Sequence, residues 1–268
     1  MSQSVRDLHT AEIARLDEMI AALATPPDVD LAIHETRKGV KRLRAHLRLA
    51  KDDIEPSLYK GEDTDLRDIG RLLAPARDAF VLGETLDALE SSAGWESASR
   101  YIAAHHRTTV DRLVAGPFGA ARTRLEGVRT RWLDLPKRPD PVAVRNGIER
   151  TYRRGRAEFD TAAATGKAGA FHSWRRRVKY LRYQLEAIGG EEAVVMTWDQ
   201  LGNTLGSEHD HSVFIDFCDN NIDMCPDRRD RYVLIDRAER RRDELRAAAL
   251  GTDVYAVEPG DFVAAVLA

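Results

Sequence analysis

Cysteine is nearly absent: Cys218 and Cys225 are the only two in 268 residues. That excludes a disulfide framework and leaves two ordinary reduced thiols as the expectation. Long apolar runs are missing as well. None approaches the roughly 18 residues needed to cross a membrane. The opening stretch MSQSVRDLHTAEIARLDEM carries acids where a secretory signal has its apolar core. A cytoplasmic protein with no membrane partner is expected. No run of alternating β-branched residues outweighs the helical pattern. A Walker-type phosphate loop, a nucleophile elbow and a cysteine/histidine zinc spacing are all lacking.

What is present is segregated charge. The chain as a whole carries a net −3. Residues 34–48 hold six Lys/Arg and one Glu, a net of +5, and residues 172–182 hold five Lys/Arg and no acid, also +5. The remainder therefore carries −13. Two short cationic stretches in an otherwise acidic protein speak about partners.

The apolar spacing reads helical almost throughout. Helices are predicted over 4–24 and 29–51, separated by Thr25-Pro26-Pro27-Asp28, which supplies a breaker and an N-cap. A third is predicted over 62–91, bent near Pro75, then others over 95–115 and 118–133. Three prolines within 135–141 mark a linker. The pattern then restarts, with helices near 141–164, 168–188, 191–220 and 227–250 and an unassigned tail over 252–268. The expected organisation is a first helical half over 1–134, a linker over 135–141 and a second helical half over 142–268.

The second half repeats the first. IHETRKGVKRLRAHL at 33–47 aligns with FHSWRRRVKYLRYQL at 171–185, with His34/His172, Arg37/Arg175, Val40/Val178, Lys41/Lys179, Leu43/Leu181, Arg44/Arg182 and Leu47/Leu185 identical. A second aligned pair, 69–82 with 201–214, matches Gly70/Gly202, Leu73/Leu205, Asp78/Asp210 and Val81/Val213. Two segments repeated in the same order imply two copies of one helical unit. A pseudo-two-fold pair of four-helix units is the simplest arrangement.

Each basic helix is amphipathic in a particular way. At about 100° per residue, His34, Arg37, Lys38, Lys41, Arg44 and Arg48 fall on one side, beside an apolar stripe of Ile33, Val40, Leu43 and Leu47. The second copy puts His172, Arg175, Lys179 and Arg182 on one face, with Arg176 flanking and Tyr183 beside the cations. Like charges at these spacings destabilise a helix by a few tenths of a kcal/mol per pair. A sequence that keeps them in both copies gains an anionic partner in return. Cations at i, i+3, i+7 and i+10 form a ladder of roughly 15 Å along the axis, useful to a linear polyanion and wasted on one small phosphate. Arginine's planar fork matches phosphate oxygens, and lysine adds a mobile point charge.

His34 through Arg37, Lys41, Leu43-Arg44 and Leu47, and His172 through Arg175, Lys179, Leu181-Arg182 and Leu185, resemble the pattern of the CHAD family, the conserved histidine α-helical domain. Arg77-Asp78 with Val81 resembles the family's later helix. The second copy departs there, reading Glu208-His209-Asp210. The resemblance implies an all-α fold of two pseudo-two-fold-related four-helix bundles around a basic central groove or pore. It also implies binding of inorganic polyphosphate and association with polyphosphate granules. By motif position it places His34, Arg37, Lys41, Arg44, His172, Arg175, Lys179 and Arg182 on the pore. Lys38, Arg48, Arg176 and Tyr183 join the candidate set from the helical wheel. Without a Glu-x-Glu-x-Lys segment near the N-terminus, the chain is expected to stand alone, not fused to a triphosphatase domain.

Other readings are weaker. His209-Asp210-His211 and His105-His106 point their imidazoles to different sides of a helix, so a metal site is not expected. No cofactor is expected. A nucleic-acid binder is supported by the basic helices with Tyr180 and Tyr183, and opposed by the acidic remainder and the lack of an aromatic stacking row. A metal-dependent polyphosphate hydrolase lacks visible metal ligands and a general base, so the chain is expected to bind without catalysis.

Overall fold

Helix termini in this chain are set by side chains that satisfy the orphan backbone donors of the first turn. Asp28 accepts a 3.0 Å hydrogen bond from the Leu31 amide to start α2 (Val29–Leu49). Asp140 accepts one of 2.6 Å from Val142 ahead of Pro141 to start α7 (Pro141–Thr165). Asp227 does the same for α10 (Arg228–Leu250) through Arg229 at 2.7 Å. The computed structural model describes residues 3–89 and 94–268. Along them the remaining helices are α1 (Gln3–Ala24), α3 (Pro56–Leu72), α4 (Ala74–Ala88), α5 (Trp95–Val114), α6 (Pro117–Trp132), α8 (Ala168–Ala187), α9 (Glu192–Asn220) and α11 (Pro259–Leu267). Single 3-10 turns occupy 51–53 and 222–224. The described residues are all-helical and contain no strand, as the sequence predicts.

Two elements differ from the sequence reading. The helix predicted over 62–91 is two helices, broken at Leu73, and its expected end at 90–91 lies outside the described residues. Pro75 lacks an amide donor and crowds the preceding turn, which is enough to end α3. The aligned second copy has Ser207 at the place of Pro75 and runs unbroken as the 29-residue α9. The tail, left unassigned by its pattern, is structured. Tyr255 is buried, its hydroxyl accepts a 3.2 Å hydrogen bond from the Trp174 indole, and Phe262 of α11 stacks on Tyr152 at 4.1 Å.

Apolar burial falls into three main clusters. One joins α1, α2, α3 and α6 through Leu16, Ile33, Leu43, Leu66, Leu125 and Val128. A second joins α7, α8, the start of α9, the end of α10 and the tail through Tyr152, Phe171, Trp174, Leu185 and Trp198. The third crosses between the halves, packing Leu82, Leu86 and Ile102 of α4 and α5 on Phe214, Ile215, Leu234 and Ala238 of α9 and α10.

Close helix approach needs small residues. Gly39, which reads in sequence as a weak point costing about 1 kcal/mol relative to Ala, lies under the Met19 side chain of α1, where a Cβ has no room. At Gly147 a Cβ would come 2.8 Å from the Leu49 Cα, so α7 meets the end of α2 backbone to backbone.

α2 and α8 cross in direct contact. Ala45 packs on Tyr180 and Tyr183, and the Gln184 amide donates to the Ala45 carbonyl at 3.1 Å. His46, buried beside them, reaches Glu12 of α1 at 2.7 Å and the Tyr183 carbonyl at 3.3 Å. Burial raises the Glu12 pKa, but the His46 ring opposes this and holds it below the usual carboxylate value on balance. This polar junction fixes the angle at which the two basic helices meet.

Candidate functional site

On the Tyr183 side of that crossing, four helices enclose a cavity of about 390 Å³. α2 contributes His34, Arg37, Lys38 and Lys41, and α8 contributes Arg175, Lys179, Arg182 and Tyr183. α4 adds Arg77, Asp78 and Val81, and α9 adds Asp199, Asn203, His209, Asp210 and Val213. Both repeated segments thus deliver their charged faces to one space.

Most of these cations are held in place. Arg37 donates to the Gly70 carbonyl at 2.8 Å and lies 3.7 Å from Asp78. Arg77 pairs with Glu84 at 3.1 Å and stacks over Phe80. Lys179 donates to Asn203 at 2.9 Å, its stem lying against Gly202. Arg182 reaches Glu186 at 3.1 Å and Asp199 at 3.2 Å. Tyr183 is gripped between the guanidiniums of Arg42 and Arg182, 5.2 and 4.9 Å from its ring centre.

Lys41 and Arg175 are different. Neither makes a hydrogen bond or ion pair within the protein, and the Arg175 Nε is buried without a partner. They face each other closely enough that each opposes the other's charge. Burial first, then Arg175, Arg37 and Lys179, push the Lys41 ammonium down to about 7. Burial likewise brings Lys179 down to about 8. His209, desolvated and facing Arg175, His172, Lys41 and Arg37, falls to about 3 and is neutral at physiological pH. Burial raises the carboxyls of Asp78 and Asp210, against the pull of the nearby arginines. The site is a cationic field with too few anions at its centre.

Eight of the twelve sequence candidates line the cavity: His34, Arg37, Lys38, Lys41, Arg175, Lys179, Arg182 and Tyr183. His172 does not; its ring packs on His209 at 4.6 Å between centroids. Arg44 and Arg48 lie beyond the crossing, both paired to Asp63 of α3 at 3.0 and 2.8 Å. The helical wheel puts them in line with Arg37 and Lys41, but α8 crosses between and a carboxylate from another helix claims them. Arg176 is exposed and donates to Ser173 at 3.2 Å. The walls from α4 and α9 are absent from the candidate set, although the aligned Asp78/Asp210 pair signals them. His211, two residues from His209, turns away and hydrogen bonds the Ser207 carbonyl at 2.7 Å.

An all-helical protein wrapped around a cationic cavity is the class that fold and site define. The chain belongs to the CHAD domain family, whose model matches residues 9–219. Among solved structures it is similar to PptA from Streptomyces chartreusis, with a TM-score of 0.68 and 15% identity over 98% of each chain. It is also similar to the CHAD domain from the plant Ricinus communis, with a TM-score of 0.61 and 18% identity over 100% of this chain and 91% of that one. At these identities the likeness concerns the fold. No curated protein matches the chain. No helix among the described residues is long and apolar enough to cross a membrane.

Proposed function

We propose that this chain binds long-chain inorganic polyphosphate in the cavity between α2, α4, α8 and α9, holds it without cleaving it, and thereby associates with polyphosphate granules in the cytoplasm. The observation that carries the reading is the unpaired couple Lys41 and Arg175. Two desolvated cations facing each other are unfavourable in the empty protein and become favourable when an anion lies between them. Around that centre Arg37, Lys179 and Arg182 stand oriented by the protein, so phosphate oxygens meet donors that need little reorganisation. A pseudo-two-fold relation of the two halves, as the repeat implies, suits a ligand whose phosphates repeat along a line.

A phosphate chain fits this space better than a nucleic acid does. Tyr183, the one aromatic ring on the cavity wall, has its faces occupied by Arg42 and Arg182 and offers no stacking platform to a base. The groups reaching the ligand are mainly cations, and among the described residues no three His, Cys, Asp or Glu side chains are grouped to hold a metal ion. Binding without hydrolysis follows from that donor set.

Calorimetric titration with polyphosphates of graded length, with short single-stranded DNA as competitor, tests the reading. Long polyphosphate is expected to bind and DNA to fail to displace it. Polyphosphate incubated with the protein and Mg²⁺ or Mn²⁺ is expected to keep its length on a gel; enzyme-dependent shortening sinks the non-catalytic part. Failure of the full chain to bind any polyphosphate sinks the whole.

A further inference from the structure

The α2–α8 crossing has a second basic side. Tyr180 and Tyr183, one turn apart on α8, both pack on Ala45, and arginines cover each ring. Tyr183 belongs to the cavity. Over Tyr180 lie Arg48 at 4.4 Å and Arg44 at 6.0 Å. Arg48 sits seven residues beyond Lys41, roughly 10 Å further along α2. Next to it, Arg177 of α8 feels the charges of Arg154 on α7, Arg176 and Arg48, relieved by one carboxylate, Glu158. Arg177 is half-buried and its Nε is desolvated without a hydrogen-bond partner. Arg154 is exposed and makes no ion pair. The Asp63 carboxylate on this side is already shared by Arg44 and Arg48.

Four guanidiniums facing one uncommitted carboxylate raise the problem that Lys41 and Arg175 raise in the cavity. Burial of the Arg177 stem holds it there against like charge instead of letting it swing into water. The arrangement is relieved by an anion with several negative groups spaced along its length, because the cations come from three different helices. We infer that Arg48, Arg154, Arg176 and Arg177 form a second phosphate-binding patch, which takes the segment of a long polyphosphate chain that continues past the α2–α8 crossing. The inference rests on the cavity reading above and extends it: the cavity holds one stretch of the chain, and the patch holds the next. A long chain then binds as a linked two-site ligand, and a short one engages a single site.

The experiment compares tripolyphosphate with long-chain polyphosphate on the full chain and on the double variant Arg154→Ala/Arg177→Ala. Tripolyphosphate affinity is expected to stay within about twofold of the unmodified protein. Long-chain affinity is expected to fall at least tenfold, with the salt dependence flattened by about two counterions, by analogy with nucleic-acid binding. Unchanged long-chain affinity and salt slope overturn the patch and leave the cavity reading standing. Equal loss for both ligands also overturns it, since the two regions are then one site. If the unmodified protein binds neither ligand, the cavity reading itself has failed. The single exposed change Arg154→Glu serves where the double variant does not fold: it must weaken long-chain binding selectively, and equal affinity for long chains overturns the patch.

Discussion

Lys41 and Arg44 stand three residues apart on α2, on either side of the place where α8 crosses it. Around Arg44 the protein supplies Asp63 and the face of Tyr180, and these outweigh burial so that its charge is favoured. Around Lys41 it supplies Arg175, Arg37 and Lys179 after burial, and the charge is resisted. The two residues look alike on a helical wheel. They differ because α3 turns a carboxylate toward one and not the other. A cation kept unpaired at such cost marks where a ligand belongs, whereas a paired one is first a structural fixture.

The sharpest way to break the comparison is to remove the unpaired centre. Lys41→Met/Arg175→Met should lower affinity for long polyphosphate by about 100-fold, or about 2.7 kcal/mol. Thermal melts should show the variant no less stable than the unmodified protein at pH 6, where the Lys41 ammonium is charged in a site that resists it. Retained affinity in a folded variant contradicts the assignment.

A smaller effect comes from pH. Phosphates beside Lys41 raise its pKa above the free-protein value of about 7, so the complex carries a proton that the free protein loses. Affinity is therefore highest below about pH 7 and falls as pH rises, by on the order of tenfold between pH 6 and 8 for one proton taken up. Lys179, at about 8, extends the decline to higher pH. Lys41→Arg keeps its charge throughout this range and should flatten the profile between pH 6 and 8. Isothermal titrations in buffers of different ionisation enthalpy measure the proton directly.

On the paired side, Asp63→Asn removes the shared partner of Arg44 and Arg48. Urea unfolding at pH 7 should show a loss of about 1–2 kcal/mol for a partly buried pair. Burial raises the Asp63 pKa, but Arg44 and Arg48 hold it below 3.8 on balance. Its contribution is thus present above that value and lost as pH falls through the depressed folded value, so the gap between variant and unmodified protein should close in acid. A constant gap at all pH values points to packing instead.

The smallest expected change tests the asymmetry between the repeats. His209 occupies the place that Arg77 holds in the first copy, and it is neutral where Arg77 is charged. His209→Arg should raise polyphosphate affinity about threefold and steepen the salt dependence by about one counterion. No change in slope places position 209 out of the ligand's reach.

The start of α2 was legible at Asp28, and the helical character of nearly every segment was legible from spacing. Pro75 predicted a bend, but whether a proline bends or ends a helix depends on what packs beside it, and here α3 and α4 part at Leu73. The tail escaped detection because Tyr255 and Phe262 are too few to show a period; they become core only against Tyr152, Trp174 and Trp198. Eight cavity-lining candidates were legible because a repeated cation column is costly wherever it occurs. Arg77, Asp78, His209 and Asp210 were visible only as a weak alignment between two other segments.

The sequence by itself determined the helices, their two-copy order, and the presence of more like charge on two of them than an isolated fold would tolerate. Those are local properties, fixed by side-chain period, capping and net charge. Tertiary structure alone decided which of those charges are neutralised. The angle at which α8 crosses α2, set by Ala45, Gln184 and the buried His46–Glu12 pair, sends Lys41 and Arg175 into one cavity and Arg44 and Arg48 to Asp63. Coulomb energy depends on distance and burial, and the partners that matter here lie 19 or more positions away in sequence, where no pattern along the chain records them.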